Sequence, residues 1–151
     1  MEIIIAIMRW LVVLCFVAVG GYLWLAAYLG RRCAYYEIDP FGYCLTQHNR
    51  VAKNTFYLTL VAVAITEIFV RLNGGSTAHL ILFIHLGFAA PFLGALAYTA
   101  FRHTGLKRPR THKYFAYTCV LLYIGTLISG LTLLFPEEAA VVRFFIETSW
   151  W

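Results

Sequence analysis

The 151-residue chain is 62% hydrophobic and only 13% charged, and its mean hydropathy of +0.75 excludes an ordinary water-soluble domain. Its formal net charge of +5 lies in short segments between apolar runs, so it marks orientation in a bilayer rather than a surface for nucleic acid. The composition is that of an integral membrane protein, and ten Tyr and four Trp fit a chain with two membrane interfaces to anchor.

About 20 apolar residues cross a bilayer as helix, and four runs of this length predict an all-α, antiparallel bundle of four transmembrane helices in a single membrane domain. The first is expected over about 10–29. MEIIIAIM lacks a basic leader, and the apolar run continues past Arg9 to Leu29 without a small-residue cleavage site, so this segment is expected to stay as helix. Arg9 is expected to snorkel at its outer end, and Gly20-Gly21 to allow close helix approach. A polar, aromatic loop follows, interrupted by Asp39-Pro40. The second helix is expected over about 54–72, ended by Asn73-Gly74-Gly75-Ser76.

The third helix is expected over about 78–101. Pro91 frees the Gly87 carbonyl and predicts a kink, while Gly87, Ala90, Gly94 and Ala97 form a small-residue face expected to pack on a neighbour. A basic loop leads to the fourth helix, about 114–135, with Gly125 and Ser129 at small-xxx-small spacing. The tail, 136–151, reads as an interfacial anchor. The first and third loops carry four and five Lys or Arg, against one each in the N-terminus, second loop and tail (Arg9, Arg71 and Arg143). This bias predicts a multi-pass protein of the plasma (bacterial inner) membrane with outward termini and cytoplasmic basic loops. In that orientation Cys33 and Cys44 face a reducing compartment, and a lasting disulfide between them is not expected. No CxxC motif, phosphate loop or nucleophile–base pair occurs, so neither hydrolytic nor transferase activity is predicted.

Ionisable groups inside the membrane are costly and mark functional sites. Glu67 and His85 both fall roughly 7 to 11 Å inward from the outer helix ends at 1.5 Å per residue, a depth at which they could face each other; His85 there reads as a metal or haem ligand, or with Glu67 as a proton relay or quinone contact. His79, nearer the interface, is a further metal candidate beside them. Glu67 also stands four residues before Arg71, the spacing of a helix-surface ion pair. At the inner level His48, His103 and His112 gather from different segments, and two imidazoles from separate helices are what axial ligation of a haem iron requires.

Several residues together resemble a known family: His48-Asn49-Arg50 opening the second helix, His85 followed by Pro91 in the third, and Arg110-Thr111-His112-Lys113-Tyr114 opening the fourth, with the Tyr123 to Ser129 stretch after it. Over about Gln47 to Leu134 the chain resembles the small four-helix CtaM-like membrane proteins, whose members include maturation factors of haem–copper cytochrome c oxidase. The resemblance implies that His48, His85 and His112 bind haem or metal. It further implies an accessory, assembly or small-subunit role in a respiratory oxidase or electron-transport complex. Where that family carries a histidine late in its second helix, this chain has Glu67 and Arg71. A weaker likeness is to cytochrome b561-type haem b proteins, which implies electron exchange with quinone. The expected cofactor is haem b, with copper or iron as the alternative; a purely structural subunit is the remaining reading. The expected partners are membrane lipid and a respiratory complex, with no nucleic acid.

Overall fold

The computed structural model describes residues 2–35, 42–72, 79–102 and 110–135. They form four helices in chain order: α1 (Glu2–Tyr35), α2 (Tyr43–Leu72), α3 (His79–Phe101) and α4 (Arg110–Leu134). All four are long and apolar enough to cross a membrane, as the composition predicts. Strongly exposed apolar side chains such as Ile3, Leu14, Trp24, Phe83 and Leu121 point to lipid rather than water on the outer surface. The chain is a multi-pass, all-α membrane protein. Residues 136–151, the 73–77 turn and His103 lie outside the described residues.

The first two helices outrun their expected limits. With 34 residues, α1 is about 51 Å long at 1.5 Å per residue, well over the hydrocarbon thickness of about 30 Å. Consequently Arg9 lies in the body of α1, beyond its first turn, rather than at the helix end. Its guanidinium sits 5.3 Å from the centroid of the Phe135 ring, a cation–π contact. The second helix begins at Tyr43 rather than near Asn54, because His48, Ala52, Thr55, Thr59, Ala62 and Phe69 recur at spacings of three, four and seven and bury one continuous face. The polar residues between them simply occupy the outer face.

Extending both helices shortens the first connection to residues 36–42, and this overturns the expected separation of the loop thiols. Cys33 and Cys44 come to a Cα–Cα distance of 5.6 Å and form a disulfide, well inside the range such a bond requires. It ties the end of α1 to the start of α2.

Helix α1 packs along α2 and α3 along α4, while the α2–α3 and α1–α4 seams are slighter, so the bundle consists of two antiparallel hairpins. Val19, Leu23, Ala62, Phe92, Leu96, Cys119 and Tyr123 fill the centre, and Val12, Phe69 and Leu134 form a smaller cluster at the end where α1 begins and α4 finishes. Gly20 makes a close crossing between α1 and α4: a Cβ there would lie 2.5 Å from Tyr123 Oη. Its absence lets the Tyr123 hydroxyl donate to the Phe16 carbonyl at 2.7 Å. Gly21, by contrast, meets nothing within 4 Å. On α4 the small face packs as expected, with Gly125 against Phe88. On α3 it does not. Gly87 and Gly94 meet nothing within 4 Å, and α3 buries Phe92, Ala95, Leu96 and Ala100 instead. In lipid an apolar helix gains little by turning one face inward over another, so shape complementarity with α4 selects the bulky face.

Candidate functional site

At the disulfide end, the heptad-like buried stripe of α2 carries His48 inward, and that of α4, running His112, Cys119, Tyr123 and Thr126, does the same for His112. Both histidines are buried, at 7% and 8% exposure. Their ring centroids stand 6.1 Å apart with the planes at 75°. The sequence reading placed these two at one level, and the fold brings them into contact. His48 Nδ1 lies 2.8 Å from the Ala26 carbonyl oxygen on α1. A carbonyl only accepts, so Nδ1 carries the hydrogen and Nε2 is the nitrogen with the lone pair. Ala26, Ala52, Thr55, Ala100 and Cys119, all buried, are the small side chains of this half of the bundle. Arg50, Lys53 and Lys113 are exposed near the same end, and the Arg102 guanidinium lies 4.8 Å from the Tyr98 ring centroid.

At the opposite end, His85 lies on the wall of a cavity of about 510 Å³ that all four helices line. Its Nδ1 is 3.1 Å from Ser129 Oγ on α4. The single Ser129 hydroxyl proton is directed at backbone carbonyls, Gly125 at 2.7 Å and Thr126 at 3.2 Å. The serine oxygen therefore accepts from His85 Nδ1–H, and the imidazole keeps its lone pair on Nε2. Gly130 makes room for the ring: a Cβ there would lie 3.3 Å from His85 Cε1.

Glu67 and His85 line the same cavity, but they do not form the expected pair. The Glu67 carboxylate accepts from Arg71 Nε at 2.8 Å, the helix-surface alternative, while His85 takes Ser129. His79 opens α3, and its side chain lies outside what is described, as does His103. Among the described residues, no group of three or more His, Cys, Asp or Glu stands close enough to hold a metal ion. The sequence reading missed Ser129 as the partner of His85, although its depth was legible. It lies five residues before the end of α4, just as Glu67 lies five before the end of α2.

No family model, characterised protein or solved structure matches this chain.

Proposed function

We propose that the chain is a haem-binding membrane protein that holds haem b through His48 and His112 and serves as an accessory or assembly subunit of a respiratory oxidase or electron-transport complex. One observation carries the reading: two buried imidazoles from α2 and α4, their centroids 6.1 Å apart. Two imidazoles brought together from different helices are a donor set that would suit the iron of a haem, or a bare ion. The Ala26 carbonyl holds His48 Nδ1 and would leave Nε2 for the iron, the arrangement that fixes ring orientation in metal-binding histidines. Haem in this position supplies one-electron redox chemistry. The basic side chains at this end, Arg50, Lys53 and Lys113 among them, suit its propionates. The respiratory role rests on the resemblance to the CtaM-like proteins.

A bare copper or iron ion between the same imidazoles is the second reading. It is favoured by the tight packing of the two rings, which an ion enters with less rearrangement than a porphyrin. We place the protein in the plasma (bacterial inner) membrane. A lasting disulfide needs an oxidising compartment, and this pulls against the charge count; we adopt the orientation that puts the Cys33–Cys44 end outward.

Titrating the purified protein with hemin, and separately with copper, tests the proposal. One hemin per chain for the wild type, and no saturable binding for the His48→Ala, His112→Ala double variant, is the expected result. Saturable copper binding without hemin binding favours the bare ion. Binding of neither rejects the site.

A further inference from the structure

The cavity around His85 has a polar character of its own. Thr59, Thr66, Thr126 and Thr132 all line it, and each directs its hydroxyl proton to its own helix, onto the carbonyls of Thr55, Ala62, Leu122 and Ile128 at 2.8 to 2.9 Å. These hydroxyls turn only lone pairs outward. His85 likewise offers the Nε2 lone pair, because Nδ1–H is engaged by Ser129. Glu67 is a further acceptor, engaged by Arg71. Against these acceptors stands the Arg9 guanidinium, whose Nε is buried without a hydrogen-bond partner. The remaining wall is apolar and includes the aromatic rings of Phe16, Phe69 and Phe92. The cavity's volume lies within the range of small-molecule sites. Val63 on α2 and Leu86 and Ala90 on α3 line it while also being exposed, so it opens along the slight α2–α3 seam onto the lipid-facing surface.

We infer that this cavity is a binding site for a lipid-soluble quinol, an aromatic head with para hydroxyls on an apolar tail, entering from the bilayer between α2 and α3. One quinol hydroxyl donates to His85 Nε2, and the Arg9 guanidinium, which lines the same cavity, donates to a quinol oxygen. A quinone carbonyl or a fatty-acid carboxylate satisfies the arginine alone and leaves the half-buried imidazole's lone pair without a donor. The aromatic walls suit a ring, and lateral access suits a ligand already dissolved in lipid. The site is separate from the His48–His112 pair and does not depend on it.

The experiment uses the full chain in phosphatidylcholine nanodiscs, with apparent affinity read from the dose-dependent rise of Tm under argon. The probes are decylubiquinol, decylubiquinone and oleate. The quinol is expected to bind about tenfold more tightly than the quinone, the weight of one hydrogen bond left unmade in an apolar site. His85→Leu abolishes that preference, His85→Gln retains part of it through the amide oxygen, and Ala90→Phe, at the exposed rim, weakens both ligands. Equal affinity for quinol and quinone, a preference that survives His85→Leu, or wild-type binding by Ala90→Phe overturns the proposal. So does saturable oleate binding without discrimination between quinol and quinone, which would identify an anionic-lipid site. Should His85→Leu fail to fold, the His85→Gln and Ala90→Phe results decide the question.

Discussion

The two ends of the bundle place the same side chain in opposite settings. At the disulfide end, α1 and α2 are tied together and two histidines meet in a closely packed interior of small residues. At the terminal end, the helices enclose a cavity with one histidine on its wall, held by a serine rather than by a second imidazole. Residue type alone therefore does not assign the role. Where two imidazoles converge with one anchored to a carbonyl, the arrangement suits a fixed cofactor. Where one imidazole shows its lone pair to an open volume, it suits an exchangeable ligand.

The contact between Gly20 and Tyr123 divides the two ends, and removing it has the largest expected effect on stability. Gly20→Val drives a branched side chain into the Tyr123 ring and displaces the hydrogen bond to Phe16. It is expected to cost about 3 kcal/mol in unfolding free energy, measured by denaturing-detergent titration of mixed micelles. A loss below about 1 kcal/mol would mean that α1 and α4 do not cross as described.

The disulfide gives a smaller effect and sharpens the contrast between the ends. Cys44→Ser is expected to cost about 2 kcal/mol, reflecting the short loop that the bond closes. Labelling with a membrane-impermeant maleimide addresses orientation. Externally added reagent is expected to modify Cys33 and Cys44 in intact cells only after reduction by an impermeant phosphine. Labelling that requires permeabilised cells would restore the charge-based orientation. The smallest effect is expected for Glu67→Gln. Its ion pair with Arg71 is exposed, so the loss is a few tenths of a kcal/mol at most, and hemin binding is unchanged. A large loss of hemin binding would return Glu67 to the cofactor site.

Much of this architecture was legible before any coordinates. Length and apolarity fix four spans, and the convergence of His48 and His112 follows from where their helices begin and end. The early start of α2 was also readable in principle, since His48, Ala52, Thr55 and Thr59 already keep helical spacing through a polar stretch. Average hydropathy conceals that pattern, and with it the pairing of Cys33 with Cys44. Two features were not legible. The face that α3 turns inward depends on the fit of Phe88 over Gly125, because apolar residues surround that helix on all sides. Depth alone made Glu67 and Ser129 equally good partners for His85. The close α3–α4 hairpin, against the slighter α2–α3 seam, favours the serine.

The most direct measurement is the reduced-minus-oxidised absorption spectrum of the protein purified from haem-replete cells, comparing wild type, His112→Ala and His85→Ala. A sharp reduced α band in the wild type and in His85→Ala, absent from His112→Ala, is the predicted result. A band lost with His85→Ala but kept in His112→Ala would contradict the account by moving the haem to the other end of the bundle.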